Sequence, residues 1–319
     1  MSVLDVLGII IPVALLWAAP LIFTALGGVF SERSGVVNIG LEGLMIFGAF
    51  TGIVTTLSLQ DSVGAAAPWI GVLVAAVASG LFALLHAVAS ITLKADQVVS
   101  GVAINFLALG LSVFLIKNIY GKGQTDSIAV RLDKIDVPFL SDIPVIGDIF
   151  FSSVPWTSYI AIALAFVVWF IIYKTPFGLR LRSVGEHPMA ADTMGVNVTR
   201  MRYVGVMISG VLAGVGGAVY AATIQGNFAA GTISGQGFLA LAAMIFGKWH
   251  PIGAMGAALF FGLAQSLSVI GATIPVLQDI PPVYLLIAPY VLTILALTGF
   301  VGRAEAPKAL GTPYEKGKR

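Results

Sequence analysis

Nine stretches of this chain are apolar enough to be read as membrane-buried: about 7–27, 36–59, 68–92, 97–117, 156–173, 203–223, 237–247, 252–271 and 284–301. Crossing a bilayer as a helix takes roughly 17–25 such residues, so eight of the nine qualify by length. The run 237–247 does not, and reads as a half-span whose end is satisfied inside the protein. Only 10% of the residues are charged against 58% hydrophobic, where a soluble domain carries about 25% charge. The expected fold is therefore an all-α polytopic membrane protein with about nine transmembrane segments, some of them broken.

Basic residues set the expected orientation. Thirteen of the 17 Lys and Arg fall on one side, among them Arg33, Lys94, Arg180, Arg200, Lys248 and Arg303. That side is assigned to the cytoplasm. The other four (Lys117, Lys122, Arg131, Lys134) belong to one long opposite loop, 118–155. Nine crossings then leave the N-terminus outside and the tail 302–319 inside, after a single transmembrane domain over 1–301. No Lys or Arg precedes the first run, so that run is expected to remain as a span.

A faint internal repeat accompanies this pattern. "ALGGVF" (25–30) leads to "GLEGLMIFG" (40–48), and "GVGGAVY" (214–220) leads to "GFLALAAMIFG" (237–247). The two copies run in opposite directions through the membrane. Transporters build pathways at the interface of such inverted repeats.

Several chemistries are excluded. The chain has no cysteine, which removes disulfides and thiolate metal sites. Its net charge of +2 gives no basis for nucleic-acid binding. "MIFGKWH" contains Gly-Lys without the first glycine or the hydroxyl residue of a phosphate loop, so ATP binding by that route is absent. His86, His187 and His250 lack metal-ligand spacing, and no metal is expected.

What remains are neutral polar groups and one carboxylate. Glu42 is read as the sole acid within an apolar run, in glycine-rich surroundings with Asn38. It either serves transport or sits near an interface, pairing with Arg33 or capping a broken helix. Gln97, Gly101 and Asn105 form one helical stripe, with Ser112 continuing it, and either bond a neighbour or line a cavity. A second cluster holds Gln225, Asn227, Ser234 and Gln236, with Phe228 and Phe238 nearby, ahead of the short run, as an outer loop or an outer gate.

The stretch "SVGEHPMAADTMGVNVTRMR" (183–202) stands apart. Pro188 suits a first helical turn and Gly195 a left-handed position past a helix end. The helix between them is too short to be stable alone, so something else must hold it.

"GVFSERSGVVNIGLEGLMIFGAFTG", "PFGLRLRSVGEHPMAADTMGVNVTRMRYVGVMISGVLAGVGGAVY" and "LALAAMIFGKWHPIGAMGAALFFG" resemble permease subunits of nucleoside and simple-sugar ABC importers, within the ribose and branched-chain amino acid permease superfamily. The resemblance spans about residues 23–271 and favours nucleosides over sugars. It implies an ABC importer permease fold in a bacterial cytoplasmic membrane. It implies a cytoplasmic coupling loop over 174–202, whose Gly185, Glu186, His187, Pro188, Ala191, Asp192 and Gly195 engage a separate ATPase subunit. ATP and magnesium would bind that subunit, leaving this chain no cofactor and no catalysis. A second, different permease chain and an extracytoplasmic binding lipoprotein or periplasmic protein complete the implied assembly. Asn38, Glu42, Phe47, Gln97, Asn105, Phe106, Gln225, Asn227, Phe228 and Gln236 are the expected pathway residues. A permease for ribose or another simple sugar, and an ion-coupled secondary transporter using Glu42, are the alternatives.

Overall fold

The computed structural model describes residues 3–271 and 305–317, with the isolated positions 274, 280, 281, 283–285, 287 and 291. Among the described residues eleven α-helices follow in order: α1 (Val3–Arg33), α2 (Leu41–Val63), α3 (Ala67–Ala87), α4 (Gln97–Tyr120), α5 (Ile146–Phe150), α6 (Trp156–Lys174), α7 (Pro176–Glu186), α8 (Pro188–Thr193), α9 (Val198–Tyr220), α10 (Gln236–Phe246) and α11 (Pro251–Ile270). The only strands among the described residues, β1 (Lys134–Ile135) and β2 (Val154–Pro155), pair antiparallel within the long loop.

Among the described residues, six helical stretches are long and apolar enough to cross a membrane, at 4–33, 41–92, 97–120, 156–174, 198–225 and 251–270. The 41–92 stretch comprises α2 and α3, which turn back at Gly64 and pack along each other. Every apolar run expected up to residue 271 thus coincides with a helix, and 237–247 is the short α10. The expected ninth run, 284–301, lies almost wholly outside the described residues. Residues 36–40, read from the sequence as part of a span, are not helical.

Local chemistry sets the helix limits. Asp96 accepts the Val99 N–H to start α4, and Asn197 accepts the Arg200 N–H to start α9. Thr175 caps α7 ahead of Pro176. Gly121, with φ of +67°, ends α4.

The packing has a reciprocal pattern. α1 lies against α10 and α11, whereas α9 lies against α2 and α3. The first helix of each sequence repeat therefore sits in the other repeat's cluster, and α1 and α9 meet in the middle. Their contacts run in opposite order. Gly205 abuts Phe30 and Ser34, Gly27 abuts Ser209, and Gly216 abuts Pro20 and Thr24. α1 and α9 are consequently antiparallel, as inverted repeats require.

Small residues make this closeness possible. A Cβ on Gly48 would stand 2.4 Å from the Gly214 carbonyl oxygen and 2.5 Å from its Cα. Backbone cannot yield as a side chain can, so α2 and α9 would have to separate. Gly48→Val should reduce the folded protein recovered from membranes several-fold. Wild-type recovery and thermal stability in that variant would show that the two helices have slack.

Candidate functional site

The centre of the bundle contains two helix breaks held together by side chains. α10 begins at Gln236 with its first N–H groups lacking helical acceptors. Glu42, the second residue of α2, supplies them: its Oε1 accepts from Gly235 N at 2.7 Å and its Oε2 from Gly237 N at 2.7 Å. A carboxylate also suits the positive end of a helix dipole. Glu42 is thus the cap of a broken helix and makes no ion pair with Arg33.

The non-helical segment between α1 and α2 is satisfied in the same way. Gln97 Oε1 accepts from Val37 N at 2.7 Å, and His86 Nε2 lies 2.9 Å from Val37 O. Asn105 Oδ1 accepts from Gly43 N at 2.7 Å, while its Nδ2 donates to Ile39 O at 3.1 Å. Asn38, wholly buried, donates to Ser209 Oγ at 2.9 Å. The polar stripe on α4 therefore holds a neighbouring backbone, which would otherwise be orphaned in apolar surroundings.

Beside the start of α10 lies a cavity of about 490 Å³. Trp17, Tyr220 and Phe238 give it aromatic walls, and Gln236, Gln265 and Ser268 give it polar ones. Trp17 meets Tyr220 edge to face with centroids 5.8 Å apart, and Gln265 Nε2 donates to Gln236 Oε1 at 3.1 Å. Of the ten residues expected along the pathway, only Gln236 is among those lining it. Phe47 stacks on Phe82, and Phe228 is fully buried with its edge toward Phe50. Gln225 is exposed, Asn227 half-buried, and Phe106 points outward with 72% exposure. Segment 226–229 is pinned by the long loop: Thr125 N donates to Phe228 O and Ile128 N to Gly226 O.

At the end bearing most basic residues, α7 and α8 form the expected short polar element. Gly195 adopts φ of +82°, with Gly195 N donating to Asp192 O at 2.9 Å and Val196 N to Ala191 O at 3.0 Å. Ala191 is buried with Val184 and Val198, whereas His187 and Met194 are exposed. Glu186 closes on Arg33 at 3.8 Å. Arg33 also donates to Trp249 O at 2.9 Å, to Lys248 O at 3.3 Å and to Tyr173 Oη at 3.3 Å. Lys248 and Trp249 both have positive φ, +55° and +53°, in the tight turn between α10 and α11. The Trp249 indole N–H donates to Glu32 Oε2 at 2.5 Å.

Glu42 is joined by a second buried acid, Glu32. α1 continues past the apolar run to Arg33, and Glu32 is only 4% exposed. Its bond from Trp249 lets the helix extend through that polar stretch. Burial, reinforced by the Arg33 charge, pushes the His250 imidazole below its ordinary value. Among the described residues no group of three or more His, Asp or Glu could hold a metal.

The C-terminal segment fastens onto this end. Ala309 N donates to Gly185 O at 2.9 Å, and Gly311 N to Gly35 O at 3.3 Å. The buried Arg202 donates to Thr312 O at 2.9 Å, and Lys94 pairs with Glu315 at 3.0 Å.

A family model described as "Branched-chain amino acid transport system / permease component" matches residues 10–297. The chain belongs to this family. The permease is 66% identical over 319 residues to the guanosine ABC transporter permease protein NupQ of Bacillus subtilis (strain 168), covering all of both chains. It is 52% identical over 318 residues to the nucleoside ABC transporter permease protein NupC of Lactococcus lactis subsp. cremoris (strain MG1363), again covering 100% of each. A putative glucose ABC transporter permease protein, TsgC13 of Haloferax volcanii, is 33% identical over 94% of the permease and 95% of its own length. With its apolar helices, the permease is a multi-pass membrane protein.

Trp17, Tyr220, Gln265 and Ser268 are cavity residues that the sequence alone does not single out. Gln265, an amide inside "GLAQSLSVI", was the one visible signal. Trp17 and Tyr220 carry no such mark, because aromatic residues in apolar helices equally face lipid or core.

Proposed function

We propose that this permease is the membrane-spanning subunit of an ATP-driven importer of nucleosides. The observation that carries the reading is full-length identity of 66% and 52% to a guanosine and a nucleoside ABC permease. The end carrying Arg33, Glu186 and α8 faces the cytoplasm and the N-terminus faces outside. The element from Glu186 to Gly195 docks on a separate ATPase subunit, which binds ATP and magnesium, and this chain carries no cofactor and no hydrolytic chemistry. The two organisms with those relatives each hold a further permease matching this chain, at 27% (NupB) and 25% (NupP) identity. Those matches support a second, different permease chain as partner, and an extracytoplasmic binding protein delivers substrate.

The geometry suggests how movement spreads. Displacement of α8 acts through Glu186 on Arg33 and thence on the α10–α11 turn. α10 is the half-helix whose other end is capped by Glu42 beside the aromatic cavity. A tilt of α10 therefore reshapes the cavity as the ATPase closes, which is alternating access.

The test of the reading is uptake by the permease co-expressed with its ATPase, permease and binding-protein partners. Labelled guanosine should accumulate and ribose or glucose should not. Sugar uptake without nucleoside uptake would establish the simple-sugar reading, which the 33% identity to a putative glucose permease keeps specific. The docking element has its own test. Gly195→Val forces a β-branched residue toward positive φ, which costs about 1–2 kcal/mol and displaces the helix end. Nothing lies within 4 Å of a Cβ there, so the effect is on backbone shape alone. Uptake should fall at least tenfold with the membrane level unchanged, and Gly195→Ala should lose less. Full uptake by Gly195→Val would remove Gly195 from the docking surface.

A further inference from the structure

We infer that the cavity bounded by Trp17, Tyr220, Phe238, Gln236, Gln265 and Ser268 is a subsite for a neutral planar heterocycle, the base of the transported nucleoside. Three observations carry this inference.

The first is chemical type. Every described side chain lining the cavity is uncharged. The helix terminus beside it is a natural anion site, because half-helix N-termini in transporters receive anionic substrate groups. Here that position is already taken. Both oxygens of Glu42 accept the N–H groups of Gly235 and Gly237. An incoming carboxylate or phosphate would meet the Glu42 charge with the Gly235 and Gly237 backbone donors already taken, so acidic ligands are disfavoured and neutral ones are not.

The second is shape and size. The volume of about 490 Å³ lies within the roughly 300–1,000 Å³ usual for small-molecule sites. Its aromatic walls come from three different helices, α1, α9 and α10. A flat ring inserted between them gains stacking contacts of the kind that aromatic platforms offer to bases.

The third is hydrogen-bonding capacity. Gln265 donates one N–H to Gln236 Oε1. That leaves the Gln265 carbonyl oxygen, its second N–H and both N–H groups of Gln236 without a shared partner in the pair. A carboxamide offers an acceptor and a donor side by side, which matches the edge of a base bidentately. Ribose hydroxyls would not need the aromatic walls.

The cavity's position also suits a transport subsite. α1 and α9 are the crossing helices of the two repeats, while α10 is the half-helix tied through its far end to Arg33. Binding there is sensitive to the same tilt that the ATPase drives.

The inference rests on the nucleoside-importer reading, and two measurements on one preparation separate their failures. The assembled complex, purified without the binding protein, is photolabelled with an azido-purine nucleoside and the adduct is mapped by peptide mass spectrometry. In parallel the same wild-type complex is assayed for nucleoside uptake in proteoliposomes with the binding protein added. The expected result is uptake, with label on peptides containing Trp17, Tyr220, Phe238 or Gln265, displaced by excess guanosine and not by ribose. Gln265→Leu, which keeps side-chain volume, and Trp17→Ala should each cut labelling at least tenfold while the complex still assembles. Uptake with label mapping elsewhere, or with labelling unchanged in both variants, overturns the subsite and leaves the importer reading intact. No uptake of any nucleoside by the wild-type complex overturns both.

Discussion

Replacing Arg33 by Met should abolish nucleoside uptake while leaving ATP hydrolysis by the assembled complex measurable. Arg33 joins three parts of the structure that sequence separation keeps apart: Glu186 before α8, Tyr173 at the end of α6, and the Lys248 and Trp249 carbonyls after α10. Its planar fork makes these contacts simultaneously, which a point-charge ammonium cannot. With Met, the Trp249 carbonyl loses a partly buried, charge-assisted bond, a loss of about 1.5–3 kcal/mol. The α10–α11 turn, with two residues at positive φ, would be free to relax, and α8 would move without moving α10. Uptake should drop at least a hundredfold, with Arg33→Lys intermediate and Glu186→Gln milder, since that pair is partly exposed and long. Hydrolysis and uptake falling in proportion would mean that Arg33 serves assembly and carries no displacement.

Glu42 gives the second large effect. Leucine at this position would leave the Gly235 and Gly237 N–H groups unpaired in apolar surroundings, at about 1–3 kcal/mol each. The N-terminus of α10 would then unwind or shift, and Glu42→Leu should eliminate uptake and lower the amount of protein in the membrane. Glu42→Gln keeps one acceptor and turns an amide N–H toward the other backbone donor. It should retain a substantial part of wild-type uptake, between a tenth and a half, unaffected by a protonophore. A secondary transporter that used Glu42 as its ion site would behave differently. Its coupling depends on the carboxylate binding an ion with different affinity in its two states, so the amide would uncouple it completely. Equal uptake by the Leu and Gln variants would show that the cap is dispensable.

The helices were legible because bilayer thickness dictates their length, and the short run 237–247 betrayed a half-helix by the same rule. Gly195 and Pro188 announced the ends of α8 through backbone chemistry that no other residues supply so cheaply. The partners were a different matter. Glu42 could be singled out as costly in an apolar run, but what satisfies it is a pair of backbone N–H groups about 195 residues away, and a backbone donor leaves no trace in composition. Asn105 and Gln97 showed a stripe whose periodicity was real, yet hydrogen-bonding a neighbour and lining a cavity produce the same spacing. Their actual role, holding the break before α2, depends on how α2 and α4 pack. Glu32 stands in "SERSG", between the apolar runs, and the groups that make the acid tolerable inside α1, the Trp249 indole N–H and the Asn38 backbone N–H, leave no mark in its own stretch of sequence. Trp17 and Tyr220 become significant only once α1 and α9 cross.

The energy source decides the central claim. Proteoliposomes containing the permease, its partner permease and its ATPase, supplied with the binding protein, can be assayed for guanosine uptake with ATP, without ATP, and with an ATPase subunit disabled for hydrolysis. Uptake that requires ATP, disappears with the disabled ATPase and persists when a protonophore and a sodium ionophore collapse ion gradients is the expected result. Uptake that survives the disabled ATPase and collapses with the ion gradients would contradict the account.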